Sequence, residues 1–324
     1  YTIGTYLAQF LSRNKYNIIL IDEQEERLNK IGQDYDLLTL QGKPTSIQIL
    51  QEADVKHADL FIAVDPKETT NITACTMAHH LGAKKTVAKI DNPEYLEPKN
   101  QELFKQLGVD SLIYPELLAA KDIINGLKMS WVRQRWDVRG GALVMLGIKL
   151  RDTCAILDKP LREISGPNDP YHIVAIKRRN ETIIPGGNET LQREDLAYFM
   201  TTKEYIPYVR KFTGKEHYVD VKNVMIMGGG RTAVRSVKIM PEYMDIKIIE
   251  NSFDRCEYLN EIFDESVLVI NGDGRDTDLL IEEGIRHTQA FVALTPNAET
   301  NILACMAAKN LGVRKTIAAV ENFD

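Results

Sequence analysis

The sequence predicts an α/β protein in which two Rossmann-like, doubly wound parallel sheets flank a small α+β module. Three observations lead to this fold class. Strands alternate with helices at the spacing of βαβ units over residues 17–114 and again from residue 224 onwards. A glycine loop follows the first strand of the second stretch. The two stretches also repeat each other in sequence, which predicts a duplicated domain.

The glycine loop follows a short apolar strand at residues 224–227 and reads Gly-Gly-Gly-Arg-Thr-Ala over residues 228–233. Each small residue has a physical task in a dinucleotide-binding loop. Gly228 allows the tight turn, Gly230 lets a pyrophosphate approach the backbone, and Ala233 lets the helix pack close to the strand. The N-terminal N–H groups of that helix would then face the phosphates.

An acid ends the next predicted strand. Glu250 lies about 20 residues beyond the loop, where a carboxylate can accept hydrogen bonds from ribose hydroxyls. An acid at this place favours NAD over NADP, because a 2′-phosphate would meet like charge. A glycine-rich turn without a ligand is the alternative, but strand, loop, helix, strand and acid occur here in the expected order.

The duplication is clearest over residues 42–92, which align without a gap with residues 272–322 and share 19 of 51 positions. Upstream, the aligned pairs are Asp22 with Glu250 and Gly4 with Ala233. We therefore expect the first copy to begin at the last position of its own glycine loop, with its first strand and first glycines lying outside the sequence. The second copy is expected to lack its last strand and helix.

Composition excludes several classes of protein. The chain of 324 residues is 44% hydrophobic and 27% charged, as in ordinary globular proteins. The net charge of −6 is not that of a basic protein, which argues against nucleic acid as a partner. No stretch of 18 consecutive apolar residues occurs. The four cysteines are scattered without metal-type spacing, which is typical of buried thiols in a reducing compartment.

Four segments are predicted along the chain. They are a first nucleotide-binding domain with a crossover helix (1–137), an α+β module (138–205), a linker with some helix (206–218) and a second nucleotide-binding domain (219–324). The crossover helix is predicted over residues 115–134, and its apolar face is larger than one sheet needs. Burial of this face in a partner subunit and packing on its own domain both remain open.

This order of domains resembles the TrkA family, the peripheral subunits of bacterial Trk potassium uptake systems, whose repeated unit is the RCK (regulator of potassium conductance) domain. The resemblance covers essentially the whole chain. Its specific marks are Gly272-Asp273-Gly274 after the third strand, Glu299-Thr300-Asn301 after the fourth, Tyr114-Pro115-Glu116 before the crossover helix and the inserted module that begins at Gly140-Gly141.

The resemblance implies a regulatory subunit, not an enzyme, that binds nucleotide and controls potassium flux through a TrkH-type membrane channel. It implies a cytoplasmic location, peripheral to the inner face of the cell membrane. It also implies self-association, as dimers formed through the crossover helix and as a tetrameric ring.

The resemblance also selects candidate cofactor-binding residues. Arg231 stands where related regulators contact a terminal phosphate, and Lys43 stands where the second copy has Asp273. The hypothesis is that the first copy binds NAD or NADH and the second copy binds ADP or ATP. The candidates are Thr2, Gly4, Asp22, Gly42, Lys43 and Lys89 in the first copy, and Gly228, Gly229, Gly230, Arg231, Thr232, Ala233, Glu250, Gly272, Asp273 and Gly274 in the second.

Two other functions stay open from the residues alone. An NAD-dependent oxidoreductase of Rossmann type is the first, since this fold hosts both regulators and enzymes. A scaffold whose nucleotide sites no longer bind is the second. The matched His57 and His287 invite a catalytic role but are expected to be surface residues. The basic run at residues 177–179 is expected to cap a solvated turn, with an anionic ligand or a lipid headgroup as the alternative.

Overall fold

The computed structural model of the chain describes residues 3–35, 37–218 and 221–320. The candidate residue Thr2 lies outside the described residues. The chain forms two compact units, Tyr1–Pro115 and Glu116–Asp324.

In the first unit, the described strands are parallel within their sheets. One sheet pairs β1 (Ile19–Asp22) with β2 (Leu38–Gln41), and the other has the order β3 (Phe61–Ala63), β4 (Thr86–Lys89) and β5 (Ser111–Ile113). The helices are α1 (Ile3–Arg13), α2 (Glu25–Asp34), α3 (Ile47–Glu52), α4 (Glu68–Leu81) and α5 (Pro98–Gln106).

The second unit begins with α6 (Pro115–Lys128) and an antiparallel module. The strands of the module are β6 (Gln134–Val138), β7 (Leu143–Lys149), β8 (Tyr171–Arg178), β9 (Glu181–Ile183) and β10 (Leu196–Thr201), and its helices are α7 (Leu161–Ile164) and α8 (Ile206–Phe212). These strands form a sheet in the order β6-β7-β10-β8-β9. Fully buried residues alternate with partly buried ones along β10, which is typical of a sheet with one covered face.

A parallel sheet follows in the same unit. Its strands are β11 (Asn223–Met227), β12 (Asp245–Glu250), β13 (Val267–Asn271), β14 (Ala290–Ala293) and β15 (Lys315–Ala318), with helices α9 (Arg231–Lys238), α10 (Phe253–Ile262), α11 (Thr277–Glu282) and α12 (Ala298–Asn310). The order β13-β12-β11-β14-β15 is that of a doubly wound sheet. Four residues of β11 are buried, as expected for a central strand.

The structure confirms the predicted fold class and shows the repeat element by element. Helices α2 and α10, and helices α3 and α11, occupy aligned positions with the same lengths. Aligned residues also cap α3 and α11, since Ser46 accepts a hydrogen bond from Ile49 N–H and Asp276 accepts one from Asp278 N–H. The first-copy counterparts of the strands on either side of β11, which are β1 and β3, belong to the two separate sheets of the first unit.

Helix α6 packs against the parallel sheet of its own unit. Ile123, Ile124 and Leu127 are buried in the core that contains β11, β12 and β14. Packing within the same chain therefore accounts for this part of the apolar face, while Leu118 remains 54% exposed.

The helix predicted over residues 115–134 is too long. It ends at Lys128, and Gln134 already belongs to β6, which pairs antiparallel with β7. Trp131, which the helical pattern included in the apolar face, is buried with its neighbours Met129 and Val132 in the core of the antiparallel module. Tertiary packing at these positions outweighs the helical pattern of the sequence.

The segment expected to be a linker also packs on the module. Helix α8 occupies its first half, with Val209 fully buried and Phe212 packed on the same core. The Arg210 guanidinium carbon lies 5.9 Å from the centroid of the Trp131 ring, a cation–π contact.

The basic run at residues 177–179 contains an internal ion pair. The Arg178 guanidinium lies 2.9 Å from the Asp195 carboxylate and 3.1 Å from that of Glu189. The Asp195 side chain is 1% exposed, so the arginine neutralises an otherwise buried charge. This bonding makes Arg178 a structural residue of the turn.

The cysteines and matched histidines lie where the sequence predicted. All four cysteines are free and buried, and burial raises the pKa of Cys75 to about 12 and that of Cys305 to about 11, which keeps these thiols protonated. His57 and His287 are exposed in matched turns. Within the described ranges, no cluster of three metal-binding side chains occurs, and no helix is long and apolar enough to cross a bilayer.

Candidate functional site

The glycine loop between β11 and α9 is tightly packed at one end and open at the other. Gly228 has φ +97°, and a Cβ there would lie 3.1 Å from backbone atoms of Leu294 and Thr295. Gly230 precedes α9 as its N-cap residue, and a Cβ there would meet no atom of the described residues within 4 Å. The loop therefore leaves open space at the N-terminus of α9, where backbone N–H groups favour an anion. Ala233 is fully buried, which matches its predicted packing role.

The Glu250 carboxylate is fixed beside this loop at the end of β12. Its Oε2 accepts a hydrogen bond from Gly229 N–H at 2.7 Å, and its Oε1 accepts one from Ser252 N–H at 2.8 Å. Because each carboxylate oxygen has two lone pairs, each can still accept from a ribose hydroxyl. The structure thus brings the predicted loop and acid together at the carboxyl edge of the sheet.

The turn after β13, at residues 272–274, lies at the same edge of the sheet. Gly272 N–H donates to Glu250 O at 2.9 Å, and a Cβ on Gly274 would lie 2.3 Å from Met227 Cγ, so this turn approaches the central strand closely. The Asp273 carboxylate is held by Arg275, with Nη2 2.6 Å from Oδ2, and these hydrogen bonds lower the pKa of Asp273. Asp273 is therefore charged and half-exposed beside the site.

An arginine that sequence reasoning missed contacts the loop. Arg255 Nε donates to Gly229 O at 2.7 Å, and the guanidinium carbon lies 4.5 Å from the Tyr258 ring centroid. The aligned residue of the first copy, Arg27, lies 3.7 Å from the Asp22 carboxylate. The matched pair of arginines five residues after the acid was the sequence signal for this position.

Arg231, the first residue of α9, contacts helix α6. Its Nε lies 3.5 Å from Glu116 Oε1, and the two side chains are 57% and 16% exposed. Glu116 Oε2 is buried and has no hydrogen-bond partner in the described part of the chain. The cation predicted to meet a terminal phosphate thus lies beside an incompletely satisfied carboxylate. Sequence reasoning did not find this pair, because its members are far apart in the chain.

In the first unit, the predicted residues meet at the carboxyl edge of the β1–β2 sheet. Asp22 Oδ1 accepts a hydrogen bond from Gln24 N–H at 2.8 Å, as Glu250 accepts one from Ser252. Gly42 N–H donates to Asp22 O at 3.1 Å, and Lys43 is exposed next to it. These contacts repeat the arrangement around Glu250.

The two remaining candidates of the first copy lie elsewhere in the unit. Gly4 is in α1, where a Cβ would lie 3.1 Å from Val64 Cγ2, so its small size serves packing as Ala233 does. Lys89 ends β4 in the other sheet, and its buried ammonium lies 3.3 Å from the Asp91 carboxylate. The structure therefore does not place Lys89 in the same sheet as Asp22.

A matched asparagine ties two strand ends together in each copy. Asn301 donates to Thr295 O and to Ala319 O, both at 2.8 Å, and accepts from Thr295 N–H at 3.0 Å. Asn71 makes the same three bonds, to Asp65 O, Lys89 O and Asp65 N–H. Both side chains are buried. In the Glu299-Thr300-Asn301 motif, Asn301 therefore holds the ends of β14 and β15 together at the sheet edge where the candidate site lies.

Comparisons with known proteins agree with this organisation. The TrkA-N domain family matches residues 2–115 and 224–324, and the TrkA-C domain family matches residues 145–214. The Trk system potassium uptake protein TrkA of Halomonas elongata is 28% identical over 323 residues, which cover 99% of this chain and 70% of that protein.

Two solved structures share the fold. The GsuK channel bound to NAD superposes with a TM-score of 0.66 at 15% identity, over 97% of this chain and 59% of that one. GsuK bound to ADP gives a TM-score of 0.53 at 11% identity, over 98% of this chain and 63% of that one. The chain thus spans about three-fifths of the length of these two proteins. Two TrkA-N matches around one TrkA-C match place this chain in the TrkA family of RCK-domain proteins.

Proposed function

We propose that this chain is the nucleotide-binding regulatory subunit of a Trk-type potassium uptake system and performs no catalytic step. The observation that carries the proposal is the open space at Gly230 beside the anchored Glu250 carboxylate. An anion-binding helix N-terminus next to a ribose-binding acid suits an adenine nucleotide. The family, and the NAD and ADP named for the two GsuK structures, support the same class of ligand.

In this proposal, the two copies differ in ligand. Asp22 selects NAD or NADH in the first copy, and Arg231 adds a positive charge suited to the terminal phosphate of ADP or ATP in the second. Gly42 and Lys43 lie beside Asp22 in the first site, and the glycines of residues 228–230 and 272–274 lie beside Glu250 in the second. The partner is a TrkH-type membrane channel, beneath which copies of the chain assemble as dimers and a tetrameric ring at the cytoplasmic face of the membrane.

Regulation would then be a shift of population between two states of the channel complex. A nucleotide changes the balance only if it binds the two states with different affinities. A tenfold preference at one site corresponds to about 1.4 kcal/mol, and several sites in a ring would add to this bias.

The first test is calorimetric titration of the full-length protein with NADH, NAD, ADP and ATP. Asp22→Ala is expected to weaken NADH binding about tenfold to a hundredfold, because hydrogen bonds to a charged group contribute about 1.5–3 kcal/mol. Arg231→Ala is expected to weaken ATP binding by a similar factor and to leave NADH unchanged. Equal binding of NADH at both copies, with no binding of ATP, would contradict the assignment. Turnover of NADH with a small substrate would instead favour an oxidoreductase.

A second test uses the contact between Arg231 and Glu116. Glu116→Gln is expected to raise the affinity for ATP up to about fivefold, since a partly exposed ion pair contributes about 0–1 kcal/mol and now competes with the phosphate. NADH binding at the first copy serves as the internal control and should not change. A fall in ATP affinity would show that Glu116 positions Arg231 for the ligand.

A further inference from the structure

Gly229, the middle glycine of the loop, is held on both sides by charged side chains. Its N–H donates to Glu250 Oε2 at 2.7 Å, and its carbonyl oxygen accepts a hydrogen bond from Arg255 Nε, also at 2.7 Å. A Cβ on Gly229 would lie 2.5 Å from Leu259 Cδ1, so this residue packs directly against α10. The position of Gly229 is therefore fixed before any ligand binds.

The Gly229 carbonyl belongs to the same peptide group as Gly230 N–H. The C=O and N–H bonds of a trans peptide lie in one plane and point in opposite directions, and the described residues contain no cis peptide bond. By holding the oxygen, Arg255 therefore makes Gly230 N–H point away from the guanidinium. Within the described part of the chain, this N–H has no hydrogen-bond acceptor, and a Cβ on Gly230 would stand in open space.

Arg255 is itself fixed by a closed ring of hydrogen bonds. Ser252 Oγ, at the N-cap of α10, accepts from Arg255 N–H at 3.3 Å, and Ser252 N–H donates to Glu250 Oε1 at 2.8 Å. The other oxygen of Glu250 binds Gly229, whose carbonyl returns to Arg255. The guanidinium carbon also lies 4.5 Å from the Tyr258 ring centroid. The acid at the end of β12 and the glycine loop are thus joined through Arg255.

The aligned arginine of the first copy is bonded differently. Arg27 Nη1 lies 3.7 Å from Asp22 Oδ2, which is an ion pair longer than a hydrogen bond. Its side chain is about half exposed, at 46%. Arg27 therefore offers a matched arginine whose replacement leaves the loop at residues 228–230 untouched.

We propose that Arg255 is a positioning residue for phosphate recognition at the second copy. By fixing Gly229 O it aims Gly230 N–H at the nucleotide phosphate, and its positive charge polarises that peptide group so that the N–H is a stronger donor. A donor that is already oriented loses little freedom when the ligand binds, which favours affinity. This inference rests on the function proposed for the glycine loop and extends it, because it separates recognition of phosphate by Gly230 from recognition of ribose by Glu250.

The test is calorimetric titration of the full-length protein with ATP, together with adenosine measured by its displacement of ATP. Arg255→Met keeps an unbranched side chain beside Tyr258 but removes the donor, and it is expected to weaken ATP binding about tenfold, the effect of losing one hydrogen bond. Adenosine, which has no phosphate, is expected to keep its wild-type affinity. Arg255→Lys, whose ammonium can still donate to Gly229 O, is expected to bring ATP affinity back to within about threefold of the wild type. Arg27→Met is the matched control and should leave ATP binding unchanged.

Two outcomes would overturn this inference alone. ATP binding to Arg255→Met with wild-type affinity would show that the loop is oriented without the arginine. An equal loss of ATP and adenosine binding would show that Arg255 only stabilises the fold of the site. If the wild type bound neither ATP nor ADP, the function proposed for the loop would fail, and the role assigned to Arg255 would fail with it.

Discussion

Gly230→Ala is expected to weaken ATP and ADP binding at the second copy at least a hundredfold, or about 2.7 kcal/mol, while changing the free energy of unfolding by less than about 1 kcal/mol. Gly230 has φ −68° and ψ −176°, which alanine adopts readily. In the part of the chain that the structure describes, the new methyl group would have no atom within 4 Å. The same methyl group would fill the space through which a pyrophosphate approaches the backbone. Calorimetric titration and urea unfolding measure the two effects separately.

Gly228→Ala, in the same loop, is the comparison variant, because there the added methyl group is expected to disturb the fold as well as the binding site. Its φ of +97° is strained for alanine, and the methyl group would lie 3.1 Å from the backbone of Leu294 and Thr295. We expect it to lower the free energy of unfolding by about 1–3 kcal/mol as well as to weaken binding. Wild-type nucleotide affinity in Gly230→Ala would mean that the loop is only a structural turn.

Much of the fold could be predicted because local pattern and duplication agree. Aligned residues cap α3 and α11, and the glycine loop precedes α9 as the spacing requires. The helix over residues 115–134 was wrong in its second part, because Trp131 and its neighbours pack in the antiparallel module. Periodicity reports only that a side chain is apolar, and it does not identify the core in which that side chain is buried.

The candidate site could be predicted only in part, for a similar reason. The glycines and Glu250 belong to one βαβ unit, so their spacing in sequence fixes their spacing in the fold. The contact between Arg231 and Glu116 joins residues far apart in the chain, and no local pattern contains it. Lys315 illustrates the limit most clearly, since it is partly buried whereas Lys85, the identical residue of the first copy, is exposed. Identity between repeats predicts the same backbone but not the same neighbours.

Lys315, the first residue of β15, is partly buried, and its ammonium donates a hydrogen bond to Val132 O at 3.3 Å. Lys315→Met is expected to raise the free energy of unfolding at pH 7 by up to about 3 kcal/mol. Burial lowers the pKa of this lysine from 10.5 to about 8 in the folded state. Each tenfold loss of proton affinity on folding corresponds to about 1.36 kcal/mol of folding free energy. Below pH 8 both states are protonated, and the folded state carries the full cost of the partly buried charge. Between pH 8 and 10.5 the unfolded state binds more protons, so wild-type stability rises with pH through this group.

The stability gained by the variant should therefore shrink as the pH rises from 8 toward 10.5. Methionine keeps most of the packing of the side chain against Gly126. Urea unfolding at pH 7 and pH 10, with the difference between variant and wild type taken at each pH, removes the contribution of other titrating groups. Lys85→Met is the control and should show no gain, because Lys85 is exposed. A variant less stable than the wild type at pH 7 would mean that the hydrogen bond to Val132 O outweighs the cost of the charge.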